Sequence, residues 1–205
     1  MAHAPAAAVI GTRYWTVPVA RAVVAFVPAA VITFTADHSA QFGLLVFGAF
    51  AVVNGLVGAL LGRRSILDPR DRTLFVLQGV VGVVAGALAL VLHAGGLGFF
   101  LYLVTVWAAV TGVLEVYAGT RLRRRAQDAR DKLAARDWLV VGALTAVLAL
   151  VFLLLPPHAV VSVGLLDAYL VISGVYLAIA GVSLLPAPAD AQRDLASSST
   201  DSDTP

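Results

Sequence analysis

Four stretches of this chain, 41–62, 73–92, 97–114 and 138–157, carry no charged residue at all. Runs of that length match the roughly 20 apolar residues needed to cross a hydrocarbon core. Such a run has two foldable states in lipid, because backbone polar groups there must be satisfied internally: a helix or a closed barrel. The period-two alternation of a membrane barrel is missing, so helices are left. Composition agrees. Hydrophobic residues make up 60% of the chain, charged residues 13%, and mean hydropathy is +0.92, against about 25% charge in a typical soluble domain. With no cysteine, disulfides, thiolate metal sites and thiol nucleophiles are excluded.

The apolar pattern predicts an all-α polytopic membrane protein with six helices, near 14–36, 40–62, 73–93, 97–119, 137–156 and 159–185. Short turns, 37–39, 93–96 and 156–158, join them on one side and carry no Lys or Arg. The connections on the other side hold Arg63, Arg64, Arg70 and Arg72, then Arg121, Arg123, Arg124, Arg125, Arg130, Lys132 and Arg136, and Arg13 precedes the first helix. The positive-inside rule then puts both termini and the basic loops in the cytoplasm. Trp15 and Trp138 are expected in an aromatic belt at that face, with Phe99, Phe100 and Tyr102 at the other. Pro28 should kink helix 1. The segment 121–136 is rich enough in Ala and Arg to extend helix 4 or 5. Residues 1–13 form a cytoplasmic N-terminal segment, with no cleavable signal peptide expected. The Pro-, Ser- and Asp-rich stretch 186–205 reads as a disordered cytoplasmic tail.

A motif recurs three times: a small polar residue, Gly, and a second Gly seven positions on. The copies are Asn54-Gly55…Gly62, Thr111-Gly112…Gly119 and Ser173-Gly174…Gly181. Each copy is preceded by an arginine at the basic side (Arg13, Arg72, Arg136) and a histidine at the short turn (His38, His93, His158). This predicts three tandem helical hairpins, about 14–64, 73–125 and 137–185, around a pseudo-threefold axis along the membrane normal. Glycines two turns apart lie near one helix face and let backbones approach closely, so Gly55, Gly62, Gly112, Gly119, Gly174 and Gly181 are assigned to helix packing. Gly58…Gly62 and Gly82…Gly86 add two GxxxG matches.

With the hairpins placed, the chain resembles the HdeD-like family of bacterial acid-resistance membrane proteins. The resembling residues are Gly55 to Gly62, Thr111-Gly112 with Gly119-Thr-Arg-Leu-Arg-Arg, Arg136-Asp-Trp-Leu-Val-Val-Gly142, and Leu154-Leu-Pro156 leading to Ser173-Gly174. The likeness covers about residues 13–185. It implies six helices built from repeated pairs, residence in the bacterial inner membrane, and a part in acid or envelope stress tolerance. It brings no catalytic motif.

Intramembrane polar residues are costly and mark candidate sites. Glu115 is six residues before Arg121, roughly 9 Å along a helix, and replaces Gly58 and Leu177 of the other repeats. Arg21, Asn54 and Gln78 lie at comparable depth, so Arg21, Asn54, Gln78 and Glu115 are grouped as one polar cluster. An Arg21–Glu115 ion pair in a site or proton path is one reading. The other has Arg21 snorkelling to headgroups and Glu115 paired with a loop arginine. Asp167 lies roughly 13 Å from its short turn and replaces Thr105 and Gly48. It reads as a proton acceptor or as a packing residue bonded to Thr105 or Ser162. His38, His93 and His158 form a pH sensor if the turns converge, and are otherwise ordinary loop residues. A three-histidine zinc site lacks local ligand spacing.

No metalloprotease, phosphate-loop or dinucleotide motif is present, and Ser162, Ser173 and the histidines form no nucleophile set. The chain therefore reads as non-enzymatic, without cofactor or metal. The alternative function is a small transporter or proton-coupled channel using Glu115 and Asp167. The expected partners are the bilayer, with anionic lipid at the basic loops, and a protein partner or a second copy. The arginine cluster is read as a topology signal and not as a nucleic-acid surface.

Overall fold

The computed structural model describes residues 10, 11 and 13–185. The tail 186–205, expected to be disordered, lies outside the described residues, as does most of the N-terminal segment. Six helices make up the fold: α1 (Thr16–Phe34), α2 (Ala40–Ser65), α3 (Pro69–Val91), α4 (Gly96–Arg125), α5 (Ala129–Leu154) and α6 (Ala159–Ser183). All six are long and apolar enough to cross a membrane, the makeup of a multi-pass membrane protein. No strand occurs among the described residues; a single bridge joins Ile10 to Ile66. Large apolar side chains are exposed on every helix, among them Val27, Leu60, Val84, Val113, Leu153 and Ile179. An outward apolar belt of this kind suits lipid and not water.

Local chemistry sets the helix ends. Asp68 caps α3 by accepting from the N–H groups of Arg70 and Asp71, with Pro69 pre-set for the first turn. Ser39 caps α2 through the Phe42 N–H. As its composition allows, the segment 121–136 extends its neighbours: α4 runs to Arg125 and α5 begins at Ala129. Arg123, Arg124 and Arg125 sit in the last turn of α4, where they favour the helix dipole. Helix α1 continues through Pro28 without interruption.

The closest packing joins α2 to α3, α4 to α5 and α6 to α1. Helices joined by the short turns touch far less. The repeated glycines explain this order. A Cβ at Gly55 would meet the Gly79 carbonyl at 2.6 Å, and one at Gly112 would meet the Ala146 nitrogen at 2.7 Å. Gly62 abuts Phe75, Gly119 abuts Leu139 and Ala135, Gly174 abuts Phe26, and Gly181 abuts Val19. Each even-numbered helix thus lies on the next odd-numbered one, and the last closes on the first. Near the histidine-bearing turns Gly43 of α2 touches Phe100 of α4 and Val163 of α6, so the starts of the even-numbered helices meet there.

Two apolar cores lie along the bundle. The larger is built around Phe47, Phe50, Trp107 and Tyr169, whose rings meet edge to face at 5.3–6.3 Å. The smaller, at the arginine-rich end, holds Tyr14, Phe75, Leu122 and Trp138. Trp138 is 3% exposed, and its indole N–H donates to the Tyr14 hydroxyl. It is a core residue and not the belt residue expected from its position after Arg136. Phe100 is likewise fully buried, against Phe152, and Tyr102 alone of the opposite trio is exposed.

The glycine contacts can be tested directly. Gly55→Ala should lower stability by about 1–3 kcal/mol, because its Cβ meets backbone that cannot move aside. Gly164→Ala, whose Cβ would meet nothing within 4 Å, should be neutral or slightly stabilising. Thermal unfolding of the detergent-solubilised protein measures both.

Candidate functional site

The four polar residues grouped from sequence depth meet in the structure. Arg21 of α1 donates through Nη2 to Glu115 Oε1 of α4 at 2.7 Å. The same Oε1 accepts from Gln78 Nε2 of α3 at 2.7 Å. Arg21 Nε donates to Asn54 Oδ1 of α2 at 3.2 Å. Glu115 is 2% exposed and Arg21 9%. The pair is therefore sealed inside the bundle: Arg21 does not snorkel, and Glu115 has a partner from another transmembrane helix and not from a loop.

The cluster forms a layer between the two cores. On α1, Arg21 lies between Val17 of the smaller core and Ala25 of the larger. On α4, Glu115 lies between Ala108 and Ala118 in the same way. Beside α5 and α6, Ala22, Val141 and Leu177 pack together, and the Tyr176 hydroxyl of α6 donates to Asp137 Oδ1 of α5 at 3.0 Å. A cavity of about 10 Å³ touches Arg21, Asn54, Gln78 and Thr111, and one of the same size lies on the other side of Arg21 against Tyr14 and Asp137. Each is about the size of one water molecule.

Asp167 is not part of this layer. Its Oδ2 accepts from Thr33 Oγ1 of α1 at 3.0 Å, in place of the expected Thr105 or Ser162; Ser162 donates instead to the His158 carbonyl. Asp167 Oδ1 is buried without a hydrogen-bond partner. Leu177, the repeat counterpart of Glu115 on α6, is ten residues beyond Asp167, roughly 15 Å along the helix. The rings of Trp107 and Tyr169 fall within that interval. Thr111 and Ser173 spend their hydroxyls on carbonyls of their own helices.

At the other end His38 Nδ1 lies 3.3 Å from the Ala36 carbonyl and His93 Nδ1 lies 3.0 Å from the Leu90 carbonyl. Both contacts are within the residue's own turn. Among the described residues no three His, Asp or Glu side chains are grouped so as to hold a metal ion. Asp37 accepts from the Ser39 N–H at 2.8 Å, a bond that holds its carboxyl below the usual range.

Sequence reasoning missed a second charged cluster, where the α2–α3 connection meets the end of α4. Arg121 Nε lies 3.1 Å from Asp71 Oδ1, and Arg125 Nη1 lies 2.9 Å from Asp68 Oδ2. Asp71 is fully buried, and its repeat counterpart Asp131 is 3% exposed. Asp131 Oδ1 accepts from the Ile10 N–H at 3.2 Å. The available signal was a repeated pattern, Asp68-Pro-Arg-Asp71 and Asp128-Ala-Arg-Asp131, which places a second carboxylate in the first turn of each helix. Burial pushes the Asp68 carboxyl up, but hydrogen bonds from the Asp71 N–H, the Arg125 guanidinium and the Arg70 N–H outweigh it and hold it below its ordinary value.

No protein-family model, curated protein or solved structure matches this chain.

Breaking a buried ion pair leaves one charge uncompensated, at a cost of about 3–5 kcal/mol. Glu115→Leu and Arg21→Leu should each destabilise by that order, and the double variant by less than either, in a thermal-unfolding double-mutant cycle. Simple addition of the two losses would mean that the pair is not energetically coupled. Asp68 behaves differently. Its depressed folded-state value means its stabilisation is present above the unfolded carboxylate value near 3.9. That stabilisation disappears as pH falls through the folded value. Asp68→Asn keeps the helix cap, so it should flatten stability against pH in the acid range. Asp68→Ala should also lose about 1 kcal/mol at neutral pH.

Proposed function

We propose that this chain is a non-enzymatic protein of the bacterial inner membrane that supports acid or envelope stress tolerance by its own persistence in the bilayer. Its resemblance to the HdeD-like family motivates the stress assignment. The observation that carries the mechanistic part is the closed state of its intramembrane charges. Arg21 and Glu115 neutralise one another inside the bundle, and an apolar layer of Phe47, Phe50, Trp107 and Tyr169 lies beyond them. Asn54 and Gln78 complete the hydrogen bonds of that pair, so neither charge of this layer is left uncompensated inside the bundle.

In this reading the chain is three tandem two-helix units about an axis normal to the membrane, with both termini and the arginine-rich end in the cytoplasm. The cyclic packing of even-numbered helices on odd-numbered ones supports the repeat. The two arginine-rich connections, with Arg13 before α1, support the orientation. The transporter reading needs a polar route from Asp167 to Glu115. The aromatic rings of Trp107 and Tyr169 between their levels weigh against it.

The test is survival of a deletion strain after acid challenge, complemented with the wild type or with Asp167→Asn, alongside proton uptake by proteoliposomes. Rescue by both proteins, with uptake no faster than in empty vesicles, is the expected result. Loss of rescue by Asp167→Asn at normal protein level, or uptake driven by a pH gradient, would favour transport. Failure of the wild type to rescue would remove the stress assignment.

A further inference from the structure

A groove of about 760 Å³ opens at the arginine-rich end between the start of α3 and the end of α4. Asp68, Arg70, Tyr117, Arg121, Arg124 and Arg125 line it. Arg121 and Arg125 are committed to the carboxylates of Asp71 and Asp68. Arg70 and Arg124 are exposed and form no ion pair among the described residues. Four guanidinium groups thus face two carboxylates, and two positive charges are left over at the mouth.

The face of α4 that enters this groove is graded. Val106, Val110 and Val113 are exposed at 40%, 40% and 64%, and Tyr117 follows at 54%. Spacings of three and four residues put them on one side of the helix. The same side continues through Thr120 and Arg121 to Arg124. Along one line the helix presents an apolar strip, a tyrosine suited to an interface, and free guanidinium groups. A phosphate is bound well by arginine, whose planar fork pairs with two oxygens.

We propose that this groove is a binding site for the phosphate headgroup of an anionic glycerophospholipid, with an acyl chain lying along Val106, Val110 and Val113. The strip of valines favours a lipid over a free phosphate, because only a lipid covers both parts. The reading rests on the chain being a membrane protein but not on the stress assignment, which a survival assay tests separately. The paired arginines have a supporting part: Asp68 and Asp71 fix the guanidinium groups of Arg121 and Arg125 at the floor, so the free charges of Arg70 and Arg124 stand over a rigid base.

The experiment uses the full-length protein in neutral detergent, titrated with phosphatidylglycerol, phosphatidylcholine or inorganic phosphate, with binding and the unfolding midpoint read together. Phosphatidylglycerol should bind and raise the midpoint, and phosphatidylcholine should do neither. R70Q/R124Q should weaken phosphatidylglycerol binding by about 30-fold, the loss of two charges at the strength usual for basic residues at a membrane surface. R63Q/R64Q removes the same charge from exposed positions outside the groove, and should bind within about threefold of the wild type if net charge alone is a minor factor. An equal loss in both double variants overturns the site in favour of general surface attraction. A midpoint shift by inorganic phosphate as large as that by the lipid overturns the lipid assignment. Lipid binding that appears only after Asp190, Asp194, Asp201 and Asp203 are all changed to Asn would assign the groove to the chain's own acidic tail, and overturn it too.

Discussion

Close backbone approach at glycine is the constraint on which the bundle depends. Lipid tails are as apolar as the helices, so burial of apolar surface gives no net drive for these helices to associate. Van der Waals contact has to supply it, and contact grows as backbones draw together. Gly55 against Gly79 and Gly112 against Gly142 bring main chain to main chain. The small residue at these positions fixes which helices pair, and the pairing in turn fixes which side chains face inward.

The polar layer follows from that pairing. Arg21, Asn54, Gln78 and Glu115 come from four different helices. They meet because the glycines hold those helices in one register. A charge pair of this kind adds little net stability over a well-packed apolar layer, since desolvation offsets most of the attraction. It penalises other arrangements heavily: a bundle slipped by one turn leaves an arginine and a glutamate unpaired in lipid. The layer therefore acts on specificity of register, and on the side of Ala22, Val141 and Leu177 the polar link is the Tyr176–Asp137 hydrogen bond between α6 and α5.

Much of this was legible in the sequence, for identifiable reasons. Charge-free runs give helices directly, and counting residues from the flanking arginines places Arg21, Asn54, Gln78 and Glu115 at one depth. Partner choice was less legible. Short turns suggest that the helices they join pack together, but a turn only brings helix ends near one another, and the glycines decide the rest. Thr33 as the partner of Asp167 was hidden for the same reason, since the two are 134 residues apart on α1 and α6. Trp138 was misread because an aromatic beside an arginine suits an interface as well as a core. Asp71 and Asp131 stand among arginines that dominate the charge pattern of their connections, which hides that both carboxylates are buried.

The closure of α6 onto α1 has a consequence for how the protein is made. Among the described helices, α1 emerges before the others and finds its most extensive partner in α6, which emerges after them. Until α6 enters the membrane, the face of α1 that holds Val19 and Phe26 is open to lipid or to other proteins, and before α4 arrives Arg21 has no carboxylate to meet. The placement of α1 is thus provisional until α6 packs against it. A chain stopped before α4 is left with an arginine in α1 that has no carboxylate to cover it.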